Sequence, residues 1–326
     1  MFVALLAVVL PASSAWATGA GAPVNLSTPS VIGVPTDGST LKVARGTWTG
    51  LTPMTTTYQW LRCNSTGEEC SNIAGATTTA HKAVHEDVGH RLRVLVKVTN
   101  AEGSEKATSS PSSTVGPKAP VRGTNVLVSG MAQDGQLVSV SNGTWGGTPP
   151  FSFGYRWQSC VTKICSNIPG ATGQSYRPTS SELKHQLRAV VTASNPAGKS
   201  SKASPFTKSV IPGPPVSTAA PTISGTPLDG QVLSASTGSW GGTGPFTYSY
   251  QWRSCPLLTG ECTDVAGATG PTYTVQPLDV STSLEVVVTA VSSLGSAAAT
   301  SGPSGLVGAL LPSNSVLPSI SGVLKD

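Results

Sequence analysis

The sequence predicts an all-β protein built as three tandem β-sandwiches in an extended array, and three observations carry that prediction. The first is composition. Of 326 residues, 36 are Gly and 26 Pro, while Asp, Glu, Lys and Arg make up only 11%, under half the share found in an ordinary soluble domain. Such a chain turns often and has little room for long helices, yet 38% hydrophobic residues and seven Trp are enough to build cores. The second is an internal repeat. Trp48 and Trp60, Trp145 and Trp157, and Trp240 and Trp252 form pairs offset by 97 and then 95 residues, a period of about one small domain. The third is alternation. Leu92, Val94, Val96 and Val98 share one side of a run, as do Leu187, Ala189, Val191 and Ala193, and Leu284, Val286, Val288 and Ala290, the period-two pattern of half-buried strands. Short strands between Gly, Pro and Asp-Gly turns number about seven per repeat, as a β-sandwich requires.

Taken from the N-terminus, Phe2 to Leu10 is an apolar run followed by Pro11 and Ala15-Trp16-Ala17, which reads as a secretory signal peptide over residues 1–17 that lacks a cationic start. A buried apolar strand is the other reading of the same residues. Export places the chain outside the cytoplasm. The longest later apolar run, Gly305 to Leu311, stops at Pro312, short of the ~18 residues a membrane span needs.

Each repeat then runs through Asp-Gly (Asp37-Gly38, Asp134-Gly135, Asp229-Gly230), Gly-x-Trp-x-Gly, Tyr-x-Trp, two cysteines, and Ile/Val-x-Gly-Ala-Thr. Tyr58 and Trp60, Tyr155 and Trp157, and Tyr250 and Trp252 share a strand face and are expected in the cores. The cysteines divide two per repeat, and all length variation between repeats lies between them, so Cys63-Cys70, Cys160-Cys165 and Cys255-Cys262 are expected as local disulfides. Closing a loop of that size stabilises by roughly 2–3 kcal/mol. Zinc is disfavoured because two thiolates per repeat without a repeated His fill half a tetrahedral site. Pro-rich connections, Gly116-Pro117-Lys118-Ala119-Pro120 and Pro212-Gly213-Pro214-Pro215, favour extended, semi-rigid linkers. The boundaries that follow are 26–117, 118–211 and 218–309. Residues 310–326 are read as a linker and the start of a truncated fourth repeat, because Pro318-Ser319-Ile320-Ser321-Gly322 echoes Pro221-Thr222-Ile223-Ser224-Gly225.

The order Tyr-x-Trp on a central strand, then Asp87-Val88-Gly89 leading into Leu92 to Asn100, resembles the C and F strands of immunoglobulin-like domains. Gly-Thr-Trp-x-Gly, Tyr-x-Trp-x-x-Cys and Gly-Ala-Thr are similar to motifs in tandem Ig-like repeats of secreted bacterial cell-surface proteins. The resemblance covers residues 26–309. It implies a surface, adhesive or spacer role, although Ig-like folds host many functions. The pattern departs from antibody-type domains, having no cysteine on the F strand and no tyrosine at its corner, and the third repeat has Asp279-Val280-Ser281 where the first has its corner glycine.

Candidate sites are few. His81, His85 and His90 cluster in the first repeat, but the other repeats place Tyr176 and Tyr273, Ser180 and Pro277, and His185 and Thr282 at those positions, which argues for structure over metal binding. No nucleophile and base recur together, so the chain is expected to be non-enzymatic, without metal or cofactor. The Asp-Gly pairs are read as turns and not as calcium sites. Trp48, Trp145 and Trp240, set between glycines, are candidates to stack on sugar rings or to cap the cores. The loops between the cysteines, differing in charge, are candidate recognition tips or tolerated insertions.

Charge is uneven: residues 1–117 carry 8 basic and 7 acidic side chains, 118–211 carry 10 and 2, and 212–326 carry 2 and 6. The basic middle repeat is either a solvated surface or a contact for anionic envelope polymers or for an acidic repeat of a neighbouring molecule. A net charge of +5 is too small to mark a nucleic-acid binder, and no membrane span is expected. The reading is therefore a secreted or cell-surface structural, adhesion or spacer region. Its alternative is a set of accessory carbohydrate-binding repeats in a larger secreted hydrolase.

Overall fold

The computed structural model describes residues 21–257, 260–311, 319 and 321–322. The expected signal peptide and most of the expected fourth repeat lie outside the described residues. Among the described residues the strands form nine sheets, in three sets that each contain a two-, a three- and a four-stranded sheet. In the first set, Thr40–Ala44 lies between Ser30–Ile32 and Ala80–Lys82. The four-stranded sheet is built around Thr55–Cys63, which pairs with Arg91–Asn100 over nine residues and with Ser71–Asn72 on its other side. Gly103–Thr108 completes that sheet. The other sets repeat this order.

The described residues hold nine strand segments per repeat, not the seven expected. The first strand is split: Val24–Asn25 pairs with Trp48–Thr49, whereas Ser30–Ile32 pairs with Thr40–Ala44. The crossing between sheets passes over the first glycine of Gly-x-Trp. Gly46, Gly143 and Gly238 have φ of +74°, +73° and +73°, and a Cβ at any of them would collide with the backbone carbonyls of Ser27, Thr124 or Ala219. Only glycine accepts both the conformation and the approach.

The alternating residues point inward. Leu92, Val94, Val96 and Val98 are buried, as are their counterparts at Leu187 to Ala193 and Leu284 to Ala290. Trp60, Trp157 and Trp252 are 0% exposed, and each indole Nε1–H donates at 3.0 Å to a backbone carbonyl, of Thr78, Gly173 or Gly270. The Ile/Val-x-Gly-Ala-Thr turn is docked on the same residue. The backbone N–H of Ile73, Ile168 and Val265 donates to the carbonyl of its Trp, whose own N–H donates to Ala76, Ala171 or Ala268. The buried hydroxyls of Ser109, Ser204 and Ser301 each accept the N–H of Val94, Ala189 or Val286 at 3.0 Å, so these inner-strand donors are not stranded.

By contact density the described residues fall into two compact units. One takes in the residues up to Gly123 with Trp145–Phe153 and Ala193–Ser200, and the other Thr124–Thr144, Gly154–Thr192 and Ser201 onward.

Candidate functional site

Each repeat buries a carboxylate at the end of a short turn, bonded to a ring that lies against its central Trp. A short 3-10 turn, His85–Asp87, Ser180–Glu182 or Pro277–Asp279, ends on the acid. That carboxylate accepts the backbone N–H three residues earlier, of Val84, Thr179 or Gln276, at 2.8–2.9 Å. It is also bonded to the residue six positions earlier. His81 Nε2 lies 2.9 Å from Asp87, Tyr176 donates its hydroxyl to Glu182 at 3.0 Å, and Tyr273 to Asp279 at 2.6 Å. These rings lie against the buried indoles, with centroids 5.5–5.8 Å apart. His81 therefore fills a tyrosine's structural position.

The first repeat adds Arg62, whose guanidinium reaches Asp87 at 2.7 Å. Burial alone would raise the Asp87 pKa. Hydrogen bonds from His81 and the Val84 N–H, with the bond and charge of Arg62, outweigh it and hold the carboxyl below its usual range. In the other repeats burial first, and then the adjacent carboxylate, push the tyrosine hydroxyls of Tyr176 and Tyr273 well above their ordinary value. A folded-state pKa raised in this way contributes stability that is intact below the unfolded value of about 10 and lost as pH rises beyond it. Thermal midpoints between pH 8 and 11 should therefore fall on the alkaline side, and Tyr176→Phe with Tyr273→Phe should flatten that fall. A slope unchanged in the double variant would contradict the assignment.

The other histidines separate. His90 Nδ1 lies 3.0 Å from the Cys63 carbonyl, and its counterpart His185 lies 2.8 Å from Ser159 Oγ. The exposed His85 begins the 3-10 turn. Cys255, Cys262 and Glu285 bring potential metal-ligand atoms within 4.8 Å of one another. The two sulfurs are bonded to each other, however, and Glu285 accepts from Arg253 at 2.7 Å.

All six cysteines form the local bonds Cys63–Cys70, Cys160–Cys165 and Cys255–Cys262. The loops above them differ in construction. Asn64 Oδ1 accepts from the Thr66 and Glu68 N–H groups and from the Thr66 hydroxyl, at 2.6–3.1 Å. In the second repeat, Thr162 and Lys163 form a two-residue hairpin turn with φ of +47° and +70°, the conformation that matches strand twist.

Trp48, Trp145 and Trp240 are half-buried. Trp48 and Trp240 pack on their cores, and their Nε1–H groups donate to the carbonyls of Arg45 at 2.9 Å and Thr237 at 2.7 Å. This geometry favours the capping role over an open sugar platform. Tyr58 and Tyr250 pack on the same cores, and Tyr155 donates to Asn142 at 2.6 Å.

The middle repeat differs in charge. Its two acids, Asp134 and Glu182, are 1% and 7% exposed, and both accept hydrogen bonds. Among its cations, Arg177 donates to the Gly135 carbonyl, and Arg188 donates to Gln158 and lies 5.4 Å from the Phe206 ring centre. Arg156, Lys163, Lys184 and Lys208 are exposed, and none has an ion pair among the described residues. The counter-charges that the sequence supplies are thus buried, and these cations face solvent.

The sheet order, the paired cores and the repeated Tyr-x-Trp strand define a tandem array of immunoglobulin-like β-sandwich domains. A family model described as the AIR9 A9 domain matches residues 25–112. Among solved structures, a titin I-band fragment is 14% identical, with 89% of this chain and 99% of that chain covered and a TM-score of 0.24. A second titin fragment is 18% identical, with 89% and 100% covered and a TM-score of 0.26. The FN1-FN3 domains of chicken CNTN1 are 16% identical, with 87% and 97% covered and a TM-score of 0.28. No curated protein matches. No helix among the described residues is long and apolar enough to cross a membrane.

Proposed function

We propose that the chain is a non-catalytic, extracellular structural and adhesive array of three repeats, 26–117, 118–211 and 218–309, whose middle repeat contacts anionic partners. Envelope polymers and acidic protein surfaces are both of the right charge. The observation that carries this reading is the burial of Asp134 and Glu182 beneath a surface where Arg156, Lys163, Lys184 and Lys208 are exposed. Unopposed cations of one sign attract a polyanion without a shaped pocket. Local disulfides in every repeat suit an oxidising compartment, and the apolar run before Ala17 supports export.

Retention on immobilised heparin and polyglutamate tests the proposal. The chain is expected to bind both at low salt and to release as the Debye length shrinks from about 30 Å at 0.01 M to about 8 Å at 0.15 M. Failure to bind at low salt, or retention independent of salt, would overturn it.

A further inference from the structure

The Asp-Gly turns do more than reverse the chain. In the first unit, Thr148 Oγ1 donates to Asp37 Oδ2 at 2.6 Å and accepts the Lys118 N–H at 2.7 Å, while the Thr148 N–H returns to the Lys118 carbonyl at 3.0 Å. The second unit repeats the device. Thr243 Oγ1 donates to Asp134 Oδ2 at 2.7 Å and accepts the Gly213 N–H at 3.3 Å, and the Thr243 N–H donates to the Gly213 carbonyl at 2.9 Å. Each bond joins the Asp-Gly turn of one repeat to the loop that follows Trp-Gly-Gly in the next. That loop needs its second glycine: Gly147 and Gly242 have φ of +101° and +103°, and a Cβ there would collide with the linker carbonyls of Ala119 or Pro214.

The third Asp-Gly turn is built to the same plan. The Asp229 N–H donates to Gly308 at 3.0 Å, as Asp37 does to Gly116 at 2.9 Å and Asp134 to Ile211 at 2.9 Å. The glycines have φ of +81°, +80° and +77° in order, and the Gly230 N–H donates to Val275 as Gly38 does to Ala83 and Gly135 to Pro178. Asp229 alone of the three has a carboxylate without a hydrogen-bond partner among the described residues. At the donor position the first repeat has Leu51, whose N–H donates to Gly21 at 2.8 Å but whose side chain has no hydroxyl. A second copy of this chain therefore cannot supply the donor through its first repeat.

We propose that the Asp229 turn is a preformed interaction surface for a further Ig-like repeat of this same type, recognised by the hydroxyl of a threonine that follows Trp-Gly-Gly. The pairing rule is chemical: the aspartate accepts, and only a loop with a hydroxyl at the Leu51 position donates.

Trypsin cleavage of the Lys118–Ala119 bond reads the existing latch, since Thr148 holds both backbone groups of Lys118. Thr148→Val is expected to speed cleavage about 10- to 100-fold, the range of equilibrium change attached to losing a hydrogen bond to a carboxylate. Thr148→Ser, which keeps the hydroxyl, should restore protection. The Asp229 surface is then tested in a chain that carries a copy of residues 118–211 after Ala309, placing the copy's lysine as far from Gly308 as Lys118 is from Gly116. That lysine should be protected to the same degree, and Asp229→Asn should expose it as Thr148→Val exposes Lys118. Unchanged core-amide exchange in each variant shows that the repeats remain folded. Equal cleavage of the extended chain with and without Asp229→Asn overturns the proposal, as does a Thr148→Val chain cleaved at the parent rate. Thr148→Val and Thr148→Ser leave every exposed cation of the parent chain in place, so its heparin retention should not change with them, which separates failure here from failure of the polyanion reading.

Discussion

Asp87→Ala is expected to cost the first repeat roughly 3–5 kcal/mol, the penalty for removing one partner of a buried ion pair. Asp87 is 0% exposed and holds Arg62, His81 and the Val84 N–H together, so the variant leaves three donors in a closed site without their acceptor. The same change at Glu182 or Asp279 should cost less, roughly 1–3 kcal/mol, because a tyrosine hydroxyl stands in the place of His81 and, among the described residues, no guanidinium pairs with either acid. Hydrogen exchange of the Val94 and Val96 amides reads the first repeat separately from the others. The Asp87 pKa is lowered on folding, so its contribution is complete above the unfolded carboxylate value of about 3.9 and is lost as pH falls below it. The parent should lose protection over that acidic range, and Asp87→Ala should start low and show a weaker dependence. Equal protection in the two chains at pH 7 would mean that the carboxylate does not stabilise the repeat.

The second large effect is expected at the central tryptophans. Trp157→Ala should destabilise the middle repeat by roughly 3–5 kcal/mol, the usual cost of truncating a buried aromatic to a methyl group. Trp157 is 0% exposed, and both its backbone and its indole anchor the turn at residues 168–173. Trp157→Phe should cost less, because it retains most of the apolar contact while leaving the Gly173 carbonyl without its indole donor. Amide exchange at Leu187, Ala189 and Val191 should rise more in Trp157→Ala than in Trp157→Phe, with Val94 and Val286 unaffected. Exchange rising equally in all three repeats would show that they do not unfold separately.

The inward strand faces were legible because each repeat buries one side of a strand, and burial on one side leaves a period of two in the sequence. Disulfide pairing was legible from the register shift confined between the cysteines. The split first strand was not, since segments such as Val24–Asn25 are too short to show a period. The buried carboxylate was half legible. Aligning the repeats aligns His81 with Tyr176 and Tyr273, but the acid six residues later alternates between Asp and Glu, and by sequence Asp87 reads only as part of a corner. The Asp–Thr latches join residues 111 and 109 positions apart, beyond any local pattern, and Leu51 breaks the internal alignment at the donor. Counting charges located the basic repeat, while the burial of both its acids required the fold.

If the middle repeat meets its partner through unopposed positive charge, heparin retention must depend on its exposed cations, Arg156, Lys163, Lys184 and Lys208 among them. The most direct measurement compares the parent with a variant in which Arg156, Lys163, Lys184 and Lys208 are all changed to Gln, each across a salt gradient. The variant is expected to elute at markedly lower salt while its core amides stay protected. Elution of both chains at the same salt would contradict the proposed role of the middle repeat.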